Sequence, residues 1–505
     1  MNGVLIVGAG PTGLVLALWL TRLGVPVRII DTTAQPGTTS RALAVQARTL
    51  ELYAQVGLAA PVVERGRRVQ AVNLWASGRH RARAVFGELG RGLSPYPFAL
   101  IFPQDEHERL LIRELAQLGI EVERRCELLS FEQSAASVLA RLKKSDGTSA
   151  VFETSYIAGC DGGHSTVRGT LGIGFEGGTY DHTFYVADVE GSGAAMNGEL
   201  QVALDAADFL AVFPLKADGH VRLVGTVRDG AGEPGQKLSW NDVSERALGR
   251  LPIEVERVNW FSTYRVHHRV ADQFRKGRAF LLGDAAHIHS PVGGQGMNTG
   301  IGDAINLAWK LAAVLLGRAR ESILDSYEPE RIAFARRLVQ TTDRAFTAVT
   351  SSSPLARFIR LELTPLLLPL LFKMPATRRF MFRTVSQTGV NYRQSSLSAG
   401  VAGAIHGGDR LPWAAAAEGE GDNFTPLTSL GWQVHVYGDA SAALTAACAE
   451  RRLPLHVFAW RPRMKKIGLR PGVLLLVRPD GYVALADAHG DPSALRSYLD
   501  ARNLT

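Results

Sequence analysis

The first 31 residues alternate between two patterns of apolar positions. Residues 4–7 (VLIV) form a short continuous apolar run, residues 14–23 carry apolar side chains at helical spacing, and residues 25–30 return to a mostly apolar stretch that ends at Asp31. Short continuous runs are typical of strands that are buried on both faces of a parallel sheet. The pattern therefore predicts a strand, a glycine turn, a helix and a second strand that ends in an acid.

A period-2 pattern follows in the middle of the chain. Apolar and polar residues alternate, with turn residues between the segments, in HTFYVADVEG (182–191), ELQVALDAADFLAVFPLKADGHVRLVGTV (199–227) and VERVNWFSTYRVHHRVA (255–271). This alternation predicts an antiparallel sheet with one covered face. Together with residues 71–95, these segments should form a second domain.

The last third of the chain predicts helices and then further strands. Residues 324–346 have a helical pattern, and LTPLLLPLLF (363–372) is apolar but carries two prolines and is too short to span a bilayer. We interpret that stretch as a buried or packed helix end and not as a membrane anchor. A linker rich in Ser, Gly and Ala (393–412) marks a boundary, after which strands are predicted within WQVHVYG, PLHVFAW and GVLLLVRPDGYVALA.

Composition narrows the class of protein. A chain of 505 residues, 46% hydrophobic and 21% charged, is typical of a globular protein with two or three domains. Cys126, Cys160 and Cys448 lie too far apart to suggest a disulfide framework, and no secretion signal is apparent, so we expect a cytoplasmic protein. The net charge of +8 comes from scattered arginines without interleaved aromatics, which argues against a nucleic-acid partner. Such a surface attracts anionic small molecules.

The turn after the first strand has the spacing of a dinucleotide site. Gly8, Gly10 and Gly13 form G-x-G-x-x-G between a strand and a helix, with Pro11 and Thr12 inside the turn. Glycines permit the tight turn and the close approach of a pyrophosphate to the helix N-terminus, and Asp31 stands where an acid accepts hydrogen bonds from a ribose. This turn alone does not distinguish NAD from FAD.

Two later motifs make that distinction. YIAGCDGGHSTVR (156–168) ends a strand at Asp161-Gly162, and GRAFLLGDAAHIHSPVGGQGMNTGIGDAINLAWKLA (277–312) runs through Gly283-Asp284 and a glycine-rich loop into a long helix. With these motifs the chain resembles the para-hydroxybenzoate-hydroxylase-like FAD aromatic monooxygenases, and in particular the branch of phenol and polyketide hydroxylases. The resemblance extends from residue 1 to about residue 390.

The resemblance implies a fold and a division into domains. The fold class is α/β, with a Rossmann-like FAD-binding domain, an antiparallel-sheet substrate domain and a thioredoxin-like C-terminal domain. The implied boundaries are 1–70, 96–175 and 268–340 for the FAD-binding domain, 71–95 and 176–267 for the substrate domain, 341–395 for a helical region and 401–505 for the C-terminal domain. The last domain lacks a C-x-x-C pair, which favours a structural role or homodimer formation over redox chemistry.

The resemblance also implies the residues that hold the cofactor. The glycine turn would bind the pyrophosphate of FAD, Asp31 the adenosine ribose, and Asp284 the ribityl chain. The complete set of implied cofactor residues is Gly8, Gly10, Pro11, Thr12, Gly13, Asp31, Arg41, Gln104, Asp161, Asp284, Pro291, Gly294, Gly296, Met297 and Asn298. Among these, Pro291, Gly296, Met297 and Asn298 would pass the isoalloxazine ring, where backbone N–H groups at a helix start would stabilise a reduced flavin anion.

Other candidate residues are fewer. Phe213, Trp260 and Tyr264 are candidates for lining the substrate pocket, with simple core packing as the alternative. His287 and His289 flank the flavin loop without an acid or cysteine cluster at ligand spacing, so we expect no metal site. No residue is identified as a catalytic acid or base.

The resemblance implies an NAD(P)H-consuming, FAD-dependent monooxygenase that hydroxylates an aromatic ring with O2 through a C4a-hydroperoxyflavin. Only one dinucleotide turn is found, so NADH or NADPH would bind transiently. Phenol hydroxylases have an acid close to the flavin where this chain has Leu43, which favours a polycyclic phenolic or polyketide substrate, as in antibiotic biosynthesis. Baeyer–Villiger insertion, oxidative decarboxylation and a flavin-bearing binding protein remain alternatives. We expect no membrane partner.

Overall fold

The computed structural model describes residues 3–37, 42–76, 78–87, 89–204, 209–228, 239–242, 251–290, 293–351, 353–416 and 421–504. Its strands, in chain order, are β1 Val4–Val7, β2 Val27–Asp31, β3 Ala44–Val45, β4 Arg67–Arg68, β5 Ala71–Ala76, β6 Arg79–Val85, β7 Leu100–Ile101, β8 Val122–Arg124, β9 Glu127–Gln133, β10 Val138–Lys143, β11 Ser149–Thr154, β12 Tyr156–Gly159, β13 Phe175–Ser192, β14 Leu200–Leu204, β15 Phe209–Pro214, β16 His220–Arg228, β17 Glu254–Ala271, β18 Arg275–Lys276, β19 Ala279–Leu281, β20 His287–Ile288, β21 Val401–Ala402, β22 Ile405–His406, β23 Gln433–Tyr437, β24 Leu455–Phe458, β25 Leu474–Val477 and β26 Val483–Asp487.

The described helices are fewer than the strands, and two of them, Gly296–Leu315 and Tyr327–Thr350, are the longest. In chain order they are α1 Pro11–Arg22, α2 Ala47–Ala54, α3 Ala59–Arg65, α4 Gln104–Gln117, α5 Thr166–Leu171, α6 Gly296–Leu315, α7 Tyr327–Thr350, α8 Pro354–Phe358, α9 Thr364–Lys373, α10 Pro375–Val385, α11 Ala442–Glu450 and α12 Pro492–Arg502. A π-helical turn, Ile359–Leu363, joins α8 to α9. None of the described helices is long and apolar enough to cross a membrane.

A six-stranded sheet forms the first layer, where the sequence predicts the cofactor-binding domain. Its order is β18-β19-β12-β1-β2-β8, and β1 runs parallel to both β2 and β12. Strand β1 is fully buried, as its continuous apolar run predicts, and α1 packs between α4 and α6. Because β1, β2, β12 and β19 are parallel, their carboxyl ends lie at the same edge of the sheet.

An eight-stranded sheet forms the second layer, in the order β20-β17-β13-β16-β15-β14-β5-β6. One face packs on its own apolar cluster, which includes Tyr185, Val212, Leu223 and Phe261. The opposite face is turned towards the small sheet β3-β7-β4, since Phe213 lies in one cluster with Leu43 and Ile101. Adjacent strands in this sheet are mostly antiparallel, as the alternating pattern predicts.

The C-terminal residues form a third sheet, ordered β24-β23-β25-β26. Strands β23 and β24 are parallel and joined by α11, while β25 and β26 form an antiparallel hairpin before α12. Buried ion pairs attach this sheet to the first layer, with Arg478 bonded to Glu330 of α7 at 2.8 Å. The mixed α/β fold class predicted from the sequence is confirmed.

The apolar stretch 363–372, which the sequence predicts to be a buried or packed helix end, is packed on one side only. Leu368 and Phe372 pack towards β6. The other side of α9 is exposed, with Leu366 at 65% and Leu370 at 53%. The apolar pattern covers both sides of this helix, so composition alone does not reveal which side faces the protein.

Candidate active site

Close packing explains two of the three glycines in the turn after β1. Gly8 has φ +101°, and a Cβ on this residue would lie 2.3 Å from the carbonyl oxygen of Cys160. A Cβ on Gly13 would lie 2.0 Å from the carbonyl oxygen of Gly8. A Cβ on Gly10 would meet no atom within 4 Å, so the backbone at this position faces open space. A phosphate can therefore approach the chain at Gly10.

Helix α1 begins directly at this turn. Its N-cap, Gly10, provides no side-chain cap, and Pro11 occupies the first helical position. The first N–H groups of a helix have no partner within it and carry a partial positive charge, which suits a pyrophosphate. The side chain of Thr12 packs against Gly283 and Gly300, whose added Cβ atoms would lie 2.7 and 2.3 Å from Thr12 Oγ1. Thr12 therefore joins α1 to α6.

Asp31 lies beside the turn and is held by backbone and side-chain donors. The N–H of Ala9 donates to Asp31 Oδ2 at 2.7 Å, and the N–H of Thr33 donates to Asp31 Oδ1 at 2.8 Å. These bonds fix the carboxylate at the end of β2, next to the glycine turn. This is the position that a ribose-binding acid occupies in the predicted arrangement.

Two further acids follow β12 and β19 at the same edge. Asp161 Oδ2 accepts a hydrogen bond from the N–H of Val167 at 3.1 Å, and burial raises the pKa of Asp161. Asp161 Oδ1 is buried and has no hydrogen-bond partner among the described residues. Asp284 lies in the 3-10 turn Gly283–Ala285, with its side chain exposed. The open backbone at Gly10 and the unpartnered Asp161 oxygen fit a polar cofactor with hydroxyl groups at this edge.

The predicted flavin loop leads into α6. The helix begins at Gly296 after Gln295, whose side chain does not cap it, and the first helical bond runs from the N–H of Thr299 to the carbonyl of Gln295. The N–H groups of Gly296, Met297 and Asn298 therefore cannot pair within the helix, and they form its positive end. A helix end of this kind stabilises a negatively charged group that lies close to it.

The loop before α6 has a constrained backbone. Gly293 and Gly294 have φ values of +81° and +60°. A Cβ on Gly294 would lie 2.6 Å from the Cβ of Ala44, and Gln46 Nε2 donates to the carbonyl of Gly293 at 3.1 Å. The loop therefore packs on the segment that connects β3 to α2.

The side chain of Asn298 connects these two segments. Its Oδ1 accepts from the N–H of Gln46 at 2.9 Å and from Thr49 Oγ1 at 2.8 Å. Its Nδ2 donates to the carbonyls of Ala44 at 2.8 Å and Gly294 at 3.0 Å. All hydrogen-bonding positions of this side chain are used by the protein. Asn298 is thus a positioning residue whose backbone N–H faces the site.

Two of the remaining predicted cofactor residues, Arg41 and Pro291, lie outside the described residues. Gln104 stands at the first position of α4, where its N–H bonds to the carbonyl of Ala42 and its Nε2 donates to Glu108 Oε1 at 2.8 Å. Gln104 is therefore next to the segment that follows Arg41.

The sheet face that shares an apolar cluster with Leu43 carries a row of four side chains. Phe213, Arg222, Asp188 and Trp260 are direct neighbours on β15, β16, β13 and β17. Arg222 donates to both oxygens of Asp188, at 2.5 and 2.6 Å, and its guanidinium lies 5.7 Å from the Trp260 ring. The next row is small and apolar, because it consists of Ala211, Val224, Val186 and Ser262.

Of the three predicted pocket candidates, Phe213 packs with Leu43 in one apolar cluster, and Trp260 shares the row with Arg222. Tyr264 packs against Phe184 and towards Phe346 of α7, as a core residue does. Sequence reasoning did not identify Arg222 and Asp188. The alternating pattern places each on a sheet face, but their pairing depends on the register between β13 and β16.

His287 contributes to a buried network behind the cofactor edge. Its Nε2 lies 2.8 Å from Asp303 Oδ2, and Arg331 Nε donates to Asp303 Oδ1 at 2.5 Å. Burial by itself would raise the pKa of Asp303, but Arg331, His287 and the N–H of Gly283 together hold that pKa below its ordinary value. Arg331 also donates to Tyr392 Oη at 2.7 Å. No group of three potential metal ligands occurs among the described residues.

His289 faces the start of α6. Its Nδ1 lies 2.7 Å from the carbonyl oxygen of Ser290, and burial lowers the pKa of His289 to about 4. The imidazole is therefore neutral at pH 7, with Nδ1 as donor and Nε2 as acceptor. A Cβ on Gly296 would lie 3.5 Å from His289 Nε2, so this buried nitrogen is directed at the helix start.

Comparisons with known proteins agree with this geometry. Residues 1–342 match a family model described as an FAD binding domain. The chain is 35% identical to 6-methylpretetramide 4-monooxygenase of Streptomyces rimosus over 532 residues, which cover 99% of this chain and 93% of that protein. The structure of the anhydrotetracycline hydroxylase OxyS of Streptomyces rimosus superposes with a TM-score of 0.78 at 29% identity and covers 99% of both chains.

A third relative comes from another aromatic pathway. CabE, an aromatic hydroxylase from angucycline biosynthesis, superposes with a TM-score of 0.76 at 26% identity and covers 99% of this chain and 98% of its own. The family match extends over more than half of the chain, and the first of these relatives aligns along almost all of it. The chain therefore belongs to the para-hydroxybenzoate-hydroxylase-like class of FAD-dependent aromatic monooxygenases.

Proposed function

We propose that this monooxygenase hydroxylates a polycyclic phenolic substrate of the polyketide type, with O2 and a transiently bound NADH or NADPH. The observation that carries the proposal is the row Phe213–Arg222–Asp188–Trp260 on the sheet face that shares an apolar cluster with Leu43. Aromatic side chains at both ends of the row offer flat contacts, and a polar pair lies between them. Relatives named for 6-methylpretetramide, for anhydrotetracycline and for angucycline biosynthesis support the same class.

The protein would hold FAD with residues from four strand ends and two helix starts. The turn at Gly10 and the start of α1 would bind the pyrophosphate, Asp31 the adenosine ribose, and Asp284 the ribityl hydroxyls. FAD, when bound and reduced by a nicotinamide, supplies the transfer of one oxygen atom from O2 to an electron-rich ring. The start of α6 at Gly296 would stabilise negative charge on the flavin ring.

The polar pair on the sheet would orient the substrate. Arg222 is almost completely buried and is held by Asp188, whose side chain is 21% exposed. A phenolic hydroxyl can donate to the partly exposed carboxylate, while two hydrogen bonds from the guanidinium hold that carboxylate in place. Leu43 gives no carboxylate at the loop, so an acidic polycyclic phenol suits the site better than simple phenol.

The nicotinamide must reach the same flavin as the substrate. The sequence predicts one dinucleotide-binding turn between a strand and a helix, at Gly8–Gly13, and FAD would fill it, so the nicotinamide would bind without a second turn of this kind. Glycines at 293 and 294 surround the loop on which the flavin ring would lie, and the net charge of +8 would attract the anionic dinucleotide.

The experiment is a NADH and NADPH oxidation assay on the FAD-loaded chain with hydroxylated anthracenes and naphthacenes, and with simple phenol as the control. We expect polycyclic phenols to accelerate oxidation and yield a hydroxylated ring with its carbon skeleton intact. A ring-expanded lactone would indicate Baeyer–Villiger insertion, and loss of CO2 would indicate oxidative decarboxylation. Absence of any substrate-dependent oxidation would contradict the enzymatic proposal and favour a binding protein.

A further inference from the structure

An exposed apolar surface follows the long helix α7. Seventeen large apolar side chains are exposed among the described residues, and ten of them lie between Leu355 and Phe380. These ten are Leu355, Phe358, Ile359, Leu363, Leu366, Leu367, Leu370, Leu371, Met374 and Phe380. Exposed apolar clusters of this extent usually mark an interaction surface.

Six of these residues form one side of a helix. Leu363, Leu366, Leu367, Leu370, Leu371 and Met374, here called the leucine face, recur at the spacing i, i+3, i+4, i+7, i+8 and i+11. This spacing places them together along α9 and the turn before it. The opposite side, with Leu368 and Phe372, packs towards β6 and Phe86. The leucine face is thus not required to close the core.

The surroundings of the leucine face are basic. Arg357, Lys373, Arg379 and Arg383 are exposed around it. The only acid between residues 354 and 385 is Glu362, and Arg81 of β6 donates to it at 3.0 Å. The surface therefore presents apolar side chains beside several cations, with its single carboxylate already neutralised by an ion pair.

This combination of charges discriminates between possible occupants. A symmetric dimer through this face would bring each basic group close to its own copy, because an isologous interface pairs a patch with itself. An anionic phospholipid surface instead offers negative headgroups to the cations and acyl chains to the leucines. Helix α9 has ten residues and cannot cross a bilayer, so it would lie in the interface plane.

Contrary to the expectation of no membrane partner from the sequence, we propose that the leucine face and its surrounding cations dock this enzyme on anionic phospholipid membranes as a peripheral protein. Leu361 and Leu368, on the inner side of the same helical segment, share an apolar cluster with Leu43 and Phe213. The docked helix would therefore lie directly above the proposed substrate face. An apolar polycyclic substrate dissolved in the bilayer would then be close to the site.

The test is sedimentation of the FAD-loaded full chain with phospholipid vesicles. One set contains phosphatidylcholine alone, and the other contains about 30 mol% phosphatidylglycerol. We expect binding to the anionic vesicles, little binding to the neutral ones, and release as the salt concentration rises to about 1 M. Equal binding to both vesicle types, or no binding to either, would overturn the proposal.

Two double variants test whether the leucine face and its cations carry the vesicle binding. Leu366→Ser with Leu370→Ser, and separately Lys373→Glu with Arg379→Glu, should each weaken vesicle binding by about tenfold or more. The matched control is Leu139→Ser with Val151→Ser, which removes two exposed apolar side chains from the sheet of β9, β10 and β11 and should leave binding unchanged. Unchanged binding of the leucine variant would refute the assignment. If the chain binds no vesicles but forms a dimer in sedimentation equilibrium, and the leucine variant abolishes that dimer, the occupant of the leucine face is a second copy of the chain and not a membrane.

Discussion

Two carboxylates follow parallel strands at the cofactor edge, and the protein holds them differently. Asp161 is half-buried and bonded to the start of α5, whereas the side chain of Asp284 is exposed at its 3-10 turn. The exposed carboxylate of Asp284 is more accessible to a ligand at this edge than the half-buried carboxylate of Asp161. Substitution of Asp284, the proposed ribityl-binding residue, therefore tests the assignment of the cofactor at this edge.

We expect Asp284→Ala to weaken FAD binding by roughly tenfold to a hundredfold and to leave the fold intact. The reason is the loss of a charge-assisted hydrogen bond to a ribityl hydroxyl, worth about 1.5–3 kcal/mol. Fluorescence titration of the apoprotein with FAD measures the change. Asp218→Ala is the control, because Asp218 is 96% exposed on the substrate sheet side. A folded Asp284→Ala protein with wild-type affinity would show that the Gly-Asp motif is assigned to the wrong part of the cofactor.

A second prediction for individual residues concerns the Arg222–Asp188 pair. Asp188→Asn preserves the shape of the side chain but removes the charge that holds Arg222, so a phenolic substrate loses its anionic acceptor. We expect KM for a polycyclic phenol to rise about tenfold, which corresponds to about 1.4 kcal/mol, with unchanged FAD content. Glu190→Gln, two residues along β13, is the matched control. Identical KM and coupling of oxidation to product in Asp188→Asn would exclude this pair from the substrate site.

At the scale of elements, the start of α6 depends on one side chain. Asn298 makes four hydrogen bonds that join α6 to the loop at Gly294 and to the segment Ala44–Gln46. Asn298 and Gln46, which one of these bonds joins, are 252 positions apart in the sequence. The positive helix end and the glycine loop are thereby held in one arrangement before a cofactor binds.

Asn298→Ala should lower the free energy of unfolding by about 2–4 kcal/mol, since it leaves buried donors and acceptors without partners. FAD binding should weaken as well, because the helix start is no longer fixed. Urea unfolding with and without added FAD measures both effects. Asn259→Ala removes a hydrogen bond to Glu190 at the surface and should change stability by less than about 0.5 kcal/mol. A loss in Asn298→Ala as small as in this control would mean that the loop is held by other contacts.

Local patterns predict the elements of the cofactor half well. The strand, glycine turn and helix of residues 4–22 and the start of α6 at Gly296 follow from apolar periodicity and from glycines that only a close approach explains. Contacts between elements that are distant in sequence are not predicted in this way. To predict the Arg222–Asp188 pair, one must know the register of two strands. To predict the bonds of Asn298, one must know that distant segments of the FAD-binding part are in contact. The exposed side of α9 was missed because both of its sides are apolar.

At the scale of the whole molecule, buried charges join the C-terminal sheet to the cofactor half. Arg478 donates to both oxygens of Glu330, and Lys310 donates to Glu330 Oε2 at 2.8 Å. Burial alone would raise the pKa of Glu330, but the charges of Arg478 and Lys310 hold it well below its ordinary value. Asp480 also accepts from Trp309 of α6 at 3.1 Å. The C-terminal sheet is therefore attached to the helix that begins at the flavin loop.

Arg478→Met should destabilise the protein by about 3–5 kcal/mol, because removing one partner leaves Glu330 and Asp480 buried with less compensation. The double variant Arg478→Met with Glu330→Gln should lose less than the sum of the two single losses, since it removes both charges of the pair. Urea unfolding of the three variants measures this coupling. Strict additivity, or a single loss below about 1 kcal/mol, would contradict an energetically coupled junction. Arg393→Met, in an exposed ion pair with Asp409, is the control.

The central claim is that this chain inserts one oxygen atom from O2 into a polycyclic phenol at the expense of a reduced nicotinamide. The direct measurement is a turnover of the FAD-loaded protein under 18O2, with mass analysis of the product and simultaneous recording of NAD(P)H oxidation. We expect one 18O atom in each product molecule, with product formed only when FAD, nicotinamide and O2 are all present. Product oxygen that derives from water, or substrate bound without any oxidation of the nicotinamide, would contradict it.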